Sequence, residues 1–302
     1  MDTGRKAIIS TLNETIITSN HEIQHDQLSP CNHEEADTRL IFHARHCGKV
    51  GLKKVLIRTV DTDVVVLAVA FFEKLMLDEL WIAFGVRKHY RYIPIHKICA
   101  ELGRIKSNTL PMFHALSGCD TVSFFNGKGK KSAWEAWELY AQVTDAFLEL
   151  CERPDSVNKN VLHVIERFII IMYSKTCSSD SVNAARKKLF GHGSRDIEHI
   201  PPTQAALLQH IKRAVYQAAY VWGQSLIAYP ILPDPSKWGW VSINSIWQPY
   251  WTNISEAAKF CTELVHCGCK VACKYHCRCK NAQLECTELC YCQGACGDMK
   301  DL

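Results

Sequence analysis

The C-terminal part of the chain carries the most distinctive chemistry, a dense run of cysteines. Of the 16 cysteines in 302 residues, ten lie between Cys261 and Cys296. Nine of them follow a regular spacing of one, three or six intervening residues: Cys267, Cys269, Cys273, Cys277, Cys279, Cys286, Cys290, Cys292 and Cys296. Because the segment has few aliphatic residues, metal ions must supply the folding energy that a core would otherwise provide. Nine thiolates satisfy about three tetrahedral Zn²⁺ ions if three sulfurs bridge.

The residues between these cysteines resemble the CXC domain of the tesmin/TSO1 family. The resemblance rests on Cys-Gly-Cys-Lys at 267–270, Cys-Arg-Cys at 277–279 and Cys-Thr-Glu-Leu-Cys-Tyr-Cys at 286–292. It implies a domain that holds about three structural zinc ions and binds DNA. The gap after the first C-x-C pair is shorter than the family usually has, and one such motif is present where members often carry two. Clustered cations and a neighbouring tyrosine are the expected nucleic-acid contacts of this module: Lys270, Lys274, Tyr275, Arg278 and Lys280.

Acidic residues form a second group of chemical interest, in three clusters of the N-terminal half. The first runs from His33 to Asp37 and includes Glu35, the second consists of Asp61 and Asp63 at the end of a predicted strand, and the third is Asp120. Carboxylates at strand ends converge at the carboxyl edge of a parallel sheet, where open α/β folds place their sites. Hard oxygen ligands of this kind suit Mg²⁺ or Mn²⁺. Each acid also suits a helix N-terminus, but three clusters in this order favour a metal site.

In order and context, the acidic clusters are similar to those of PIN-like nucleases of the flap-endonuclease type. The matching stretches are PCNHEEADTRL, TVDTDVVVLAV and ALSGCDTVSFFNGKGKKSAW, within about residues 30–140. The resemblance implies a PIN-like α/β fold with a mostly parallel sheet. Carried over by motif, it assigns metal-dependent catalysis to Glu35, Asp61, Asp63 and Asp120.

The same resemblance covers the glycine-rich, basic turn that follows the third cluster. It assigns Lys128, Lys130 and Lys131 to contacts with a nucleic-acid backbone. The family places a first essential aspartate on a strand upstream of the acidic helix, and the roughly 30 residues before that helix here do not resemble the strand. We therefore expect an N-terminally incomplete domain with impaired catalysis, and enzymatic activity stays an open question. A PIN-like domain followed by a CXC module also resembles transposon-derived proteins of animal genomes.

Hydrophobic periodicity and turn residues predict the elements that position the acids. Short apolar or alternating runs predict strands at 6–19 (two strands around a turn), 54–60 (a buried strand), 80–84 and 89–93. Helical periods alternate with them: Asn32 caps the first helix, Asp63 caps an apolar helix or strand, and a third helix begins after Pro94 and ends at Gly103. This alternation is typical of an α/β unit with a largely parallel sheet. Later helices are predicted at about 132–151, 158–175, 180–190 and 203–223.

These patterns divide the chain into four regions. We predict a PIN-like domain at 1–140, a helical extension at 141–228, a Pro- and Trp-rich linker at 229–260 and a CXC zinc domain at 261–297. Four tryptophans lie within 14 residues of the linker, and we expect their indoles to pack on the preceding domain. Stacking on nucleobases is the alternative role for these indoles.

Composition limits the class of protein. An apolar fraction of 47% and a charged fraction of 22% are typical of a globular chain and exclude global disorder. The longest apolar run is nine residues, and the N-terminus shows no signal peptide, so we expect a nuclear or cytoplasmic protein without a membrane partner. In such compartments dense cysteines bind metal rather than form disulfides. The net charge of +4 does not by itself indicate nucleic acid.

Competing motifs are incomplete. His33 and Glu35 match half of a zinc-deaminase motif, but no P-C-x-x-C follows. The glycines before Lys131 lack the spacing of a P-loop, and Cys119 has no partner-histidine pattern that would make it a nucleophile.

The sequence therefore predicts a zinc-containing, nucleic-acid-associated protein with DNA as its partner and a possible Mg²⁺ or Mn²⁺ site. Three alternatives stay open. The first is a non-catalytic protein that binds DNA or a protein partner through the CXC module. The second is an active Mg²⁺-dependent, structure-specific nuclease, if a full metal site forms. The third is a zinc-stapled structural protein without nucleic acid.

Overall fold

The structure, a computed structural model, describes residues 8–12, 15–19, 28–191, 199–252, 265–269, 277–282 and 284–292. The chain forms two units, each assembled from three segments. The first, called the α/β unit, comprises 1–122, 144–156 and 213–238. The second, called the helical unit, comprises 123–143, 157–212 and 239–302.

The described elements are short strands and helices of 4 to 15 residues. The strands are β1 (Ile9–Leu12), β2 (Thr15–Thr18), β3 (Lys54–Thr59), β4 (Glu79–Phe84), β5 (Arg91–Pro94), β6 (Trp240–Ile243) and β7 (Ile246–Pro249). The helices are α1 (Ala36–Lys49), α2 (Thr62–Phe71), α3 (Ile95–Leu102), α4 (Arg104–Leu116), α5 (Lys130–Leu139), α6 (Val143–Glu152), α7 (Lys159–Tyr173), α8 (Val182–Gly191), α9 (Gln204–Val215) and α10 (Arg278–Asn281). A π-helical turn over Tyr216–Val221 and a 3-10 turn over Trp222–Gln224 follow α9.

Small sheets organise the strands of the α/β unit. β1 and β2 form the predicted antiparallel hairpin. A second sheet has the order β3-β4-β5, with β3 parallel to β4 and β4 antiparallel to β5. The protein is thus mixed α/β, and the β3–β4 pair is the parallel part of this sheet. The prediction of a buried β3 is wrong, because β3 lies at the edge of this sheet among the described strands, with Leu56 exposed and Ile57 buried.

The core of the α/β unit forms around α2. This helix is apolar on nearly every face, and Val64, Leu67 and Ala68 are fully buried. A helix of that kind is stable only when neighbours surround it, and α2 packs on α1, α3 and α4. The first turn of α2 is thereby held at the carboxyl end of β3.

Helix starts differ in detail from the prediction. Asn32 does not cap α1, which begins after Glu35 as its N-cap residue. Asp61, not Asp63, caps α2, since the Asp61 Oδ1 atom accepts a hydrogen bond from the Asp63 N–H at 2.9 Å. The prediction of a helix from Pro94 to Gly103 is confirmed by α3. Helix α4 was not predicted, because Pro111 lies inside it and a proline usually ends a helix.

The helical unit is built around α7, whose residues Ile165, Phe168 and Ile169 are buried, with α5 and α8 packed against it. The predicted helix at 132–151 is interrupted between α5 and α6. The hairpin β6–β7 also belongs to this unit.

The tryptophans of the predicted linker differ in burial. Trp238, in the α/β unit, is buried with its ring 5.1 Å from that of Tyr220. Trp247 and Trp251 are 46% and 79% exposed, so the prediction of packed indoles is wrong for these two. Both belong to the β6–β7 hairpin or directly follow it, where few neighbours cover the side chains. Among the described residues, no helix combines the length and apolar content that a membrane crossing requires.

Candidate functional site

Three aspartates of the α/β unit bring their carboxylates together, and we call them the aspartate cluster. One carboxylate oxygen of each of Asp37, Asp61 and Asp63 lies within 4.8 Å of the others. The β3–α2 connection supplies Asp61 as the N-cap and Asp63 as a first-turn residue, and α1 supplies Asp37 from its own first turn. Two helix N-termini thus face the same small volume with negative side chains, which is the type of oxygen set that hard divalent cations bind.

Electrostatic crowding in this cluster falls mainly on Asp37. Burial, followed by the negative charges of Asp61, Asp63, Glu35 and Asp120 in that order, raises the pKa of this carboxyl to about 6. The raised pKa thus reflects burial first and like-charge repulsion second. A bound cation would relieve this repulsion.

Asp63 is oriented by a buried histidine. The His114 Nε2 atom donates to the Asp63 Oδ1 atom at 2.8 Å. The His114 ring lies 5.9 Å from the ring of Trp222, which limits its movement. This arrangement resembles the outer-shell contacts that fix ligand orientation in metal sites.

Glu35, a predicted catalytic residue, is held by residues far away in the sequence. Gln217 Nε2 donates to Glu35 Oε1 at 3.0 Å, and Trp222 Nε1 donates to Glu35 Oε2 at 3.1 Å. Burial raises the pKa of Glu35, and these two hydrogen bonds oppose the effect. Gln217 also accepts from the Thr121 hydroxyl at 2.9 Å, which links the first and third acidic segments.

The structure therefore brings Asp61 and Asp63 together with Asp37, a residue of the first acidic cluster that the nuclease motif did not select. Glu35 and Asp120 lie outside the group of three, although their charges reach Asp37. Asp37 follows Glu35 by two residues in the same acidic cluster. The first-turn position of Asp37, beside the N-cap Glu35, is the signal that could have identified it.

Six thiols of the helical unit form two overlapping groups of four, and we call them the cysteine cluster. Cys267 and Cys286 belong to both groups. Cys290 and Cys292 complete one group, and Cys277 and Cys279 complete the other. In each group, all four sulfurs lie within 4.8 Å of one another.

The sulfur spacing fits zinc. Within the group that contains Cys292, the distances between sulfurs are 3.8 Å for Cys267–Cys286 and 3.9 Å for Cys267–Cys292. A tetrahedron with Zn–S bonds of about 2.3 Å has edges of about 3.8 Å. These cysteines can hold zinc without a large rearrangement.

Burial and charge separate the two faces of this module. Along Cys277 and the start of α10, Cys277 and Cys279 are buried while Arg278 and Lys280 are exposed. Burial and the neighbouring Cys290 thiol raise the pKa of Cys279 to about 11. A metal ion is therefore needed to bring this thiol into its ligating, deprotonated form at neutral pH.

The remaining predicted residues of the module are only partly covered. Cys269 is described and lies outside both groups of four. Cys273 and Cys296 lie outside the described residues, as do Lys270, Lys274 and Tyr275. The number of about three zinc ions stays a prediction.

The predicted lysine turn (Lys128, Lys130 and Lys131) belongs to the helical unit. The Lys128 N–H donates to the Phe125 carbonyl at 2.9 Å, and Gly127 adopts a left-handed φ of +66° that closes this turn. The Lys128 ammonium lies 5.3 Å from the centre of the Tyr173 ring. Lys130 and Lys131 are the first two residues of α5.

Comparisons with models of protein families, with curated proteins and with solved structures found no match. The class of protein therefore rests on its own residues. It is a mixed α/β protein with a C-terminal cysteine cluster that can bind zinc.

Proposed function

We propose that this protein is a zinc-organised, DNA-binding protein of the nucleus or cytoplasm, in which a PIN-like unit with impaired catalysis precedes a CXC module. The observation that carries the proposal is the pair of overlapping four-thiol groups that share Cys267 and Cys286. Shared thiolates are the means by which a CXC module gathers several zinc ions with few cysteines. Zinc binding then stabilises the fold of this segment in place of a hydrophobic core.

Charge placement supports nucleic acid as the partner. The buried thiols alternate with the outward-facing cations Arg278 and Lys280, and Tyr291 between two ligands is 65% exposed. Cations contact phosphates, and an exposed aromatic ring offers a stacking surface. The lysine turn adds three cations in another part of the same unit.

The test is zinc content and DNA binding of the full chain. We expect about three zinc ions per chain by elemental analysis, and loss of both folding of the module and DNA binding on chelation. Cys286→Ser should lower the zinc content, because this sulfur belongs to both groups. Cys47→Ser is the matched control: this cysteine is on α1, outside the cluster, and its loss should leave zinc content unchanged.

One zinc ion or fewer in reduced, zinc-replete protein would refute the multinuclear site. A zinc-loaded protein that does not bind DNA at low salt would refute nucleic acid as the partner. A protein partner of the CXC module would then be the better candidate.

The aspartate cluster supports a second part of the proposal, a divalent-cation site in the PIN-like unit. Three oxygens of Asp37, Asp61 and Asp63 suit one Mg²⁺ or Mn²⁺ ion. Cleavage by two ions about 4 Å apart needs further ligands. Glu35 does not supply them easily, because both of its oxygens accept hydrogen bonds from the protein. We therefore expect one ion to bind weakly and cleavage to be slow or absent.

This part is tested by incubating the full chain with flap and single-stranded DNA in Mg²⁺ or Mn²⁺. We expect little cleavage above the level seen with Asp61→Ala. Robust cleavage that Asp61→Ala abolishes would show that the site is complete and that the protein is a nuclease.

A further inference from the structure

Two adjacent phenylalanines before the lysine turn have opposite environments. Phe125 is 5% exposed, with its ring 4.6 Å from that of His210. Phe124 is 73% exposed. The buried Phe125 side chain and the Phe125–Lys128 backbone hydrogen bond hold the backbone next to Phe124 in place. The Phe124 ring is therefore exposed on an ordered stretch of backbone.

Positive charge follows this ring in the chain and outnumbers the single acid, Asp120, that precedes it by four residues. Lys128, Lys130 and Lys131 follow within seven residues, and no acidic residue stands in the first turn of α5. Cations at a helix N-terminus oppose the helix dipole, so α5 begins with charges that an anion would stabilise. The segment thus combines an exposed aromatic face with a local excess of cations.

Three kinds of partner could meet such a segment: an acidic protein, an anionic membrane and a single-stranded nucleic acid. An acidic protein would use the lysines and leave the ring without a role. A membrane needs an apolar face, but the exposed residues around Phe124 are charged, polar or glycine: Asp120, Thr121, Ser123, Asn126, Gly127, Gly129 and Lys131. A single-stranded nucleic acid uses both features, because its bases stack on aromatic rings and its phosphates pair with lysines.

We propose that Phe124 is a stacking platform for an unpaired base of a single-stranded nucleic acid whose phosphates contact the lysine turn. This inference rests on the proposed DNA binding and adds a residue and a strand preference to it. The ring supplies contact with any base, so binding depends little on sequence. The lysines supply the salt-dependent part of the affinity.

The experiment measures binding of a fluorescent 20-nucleotide oligo(dT) to the full, zinc-loaded chain by anisotropy, over a series of NaCl concentrations. Phe124→Ala should weaken binding about 5- to 150-fold, the effect of losing one stacked base. The slope of log affinity against log salt should not change. Lys131→Ala should instead reduce that slope by about 0.7, the value for one phosphate contact on a single strand. Phe124→Tyr, which keeps the ring, should bind as the wild type does.

A second readout detects stacking directly. A 2-aminopurine base in the middle of the oligonucleotide should lose fluorescence on binding the wild type and keep more of it with Phe124→Ala. Leu139→Ala is the control: this exposed residue ends α5, at the far end from Phe124, and should change neither signal.

Each outcome separates the inference from the proposed function. Wild-type affinity in Phe124→Ala, with weakened binding in Lys131→Ala, would refute the stacking role and leave DNA binding intact. No binding of oligo(dT) by the wild type at 50 mM NaCl, with duplex DNA still bound, would refute the inference alone, and no binding of either DNA would refute both. If Phe124→Ala lost binding to phosphatidylserine vesicles but kept its binding to oligo(dT), the partner of Phe124 would be an anionic membrane and the stacking role would be refuted.

Discussion

Replacing Asp37 by asparagine tests whether the aspartate cluster is a crowded, cation-binding site. The pKa of Asp37 rises from 3.8 to about 6 in the folded protein. A rise of about 2 units corresponds to about 3 kcal/mol, and solvent screening of this half-buried group reduces it to about 1–2 kcal/mol. Without divalent ions at pH 8, Asp37→Asn should therefore raise the free energy of unfolding by about 1–2 kcal/mol.

The direction of the pH dependence follows from the same shift. A carboxyl with a raised pKa destabilises the fold where it is charged in both states, at a pH above about 6. At a pH below 3.8 it is neutral in both states, and the effect vanishes. The benefit of Asp37→Asn should thus decrease as the pH falls from about 6 towards 4.

Urea denaturation with and without millimolar Mn²⁺ measures both properties. Mn²⁺ should stabilise the wild type and should have less effect on Asp37→Asn, in which a neutral amide replaces one of the three carboxylates. Asp145→Asn is the matched control, because Asp145 is an exposed first-turn acid of α6 outside the cluster. It should lower stability by about 0.3–1 kcal/mol through the helix dipole. A loss of stability in Asp37→Asn as large as that of the control would refute the reasoning, and so would equal stabilisation of the wild type and Asp37→Asn by Mn²⁺.

Three further predictions concern the scaffold. Burial, with the charges of neighbouring basic groups, lowers the pKa of His43 from 6.5 to about 4. The free energy of unfolding should therefore fall by about 1–2 kcal/mol as the pH drops from 6.5 towards 4. His43→Gln should remove most of that loss in urea titrations. Gly48→Ala should destabilise the α/β unit by about 1–3 kcal/mol or more in thermal melts, since the new Cβ would lie 1.9 Å from the Leu75 carbonyl oxygen, whereas Gly129→Ala meets open space. Glu166→Ala should lower the free energy of unfolding by about 2–3 kcal/mol in urea titrations, because the buried Glu166 side chain accepts hydrogen bonds from the Val182 N–H and the Gln204 side-chain amide. An unchanged midpoint would contradict that role.

Local signals account for the elements that were predicted correctly. The β1–β2 hairpin follows from two short apolar runs around a turn, and α3 follows from Pro94 at its start and Gly103 at its end. Helix caps were harder, because Asn32 and Asp63 have suitable side chains but neighbouring residues take the cap positions. Side-chain type alone does not determine which of two nearby candidates the packing selects.

The candidate site was predictable only in part. Asp61 and Asp63 were found because a strand end followed by acids is a local pattern. The preference for Glu35 over Asp37 depended on the nuclease motif, whereas the structure places Asp37 in the group of three. The hydrogen bonds of Glu35 to Gln217 and Trp222 span sequence separations that no local pattern reveals. The cysteine cluster was predictable because its ligands are close in sequence and their spacing is itself the signal.

The long-range anchoring of Glu35 has a consequence for biosynthesis. Its partners Gln217 and Trp222 are 182 and 187 residues downstream. A ribosome that adds about 5–20 residues per second needs about 10–40 s to make that stretch. During this interval the first acidic segment lacks its hydrogen-bond donors. The nascent α/β unit therefore cannot complete its fold until the segment that contains Gln217 and Trp222 has been translated. Its exposed carboxylates and apolar helices are then available to chaperones, and a stalled chain shorter than 217 residues cannot make either contact.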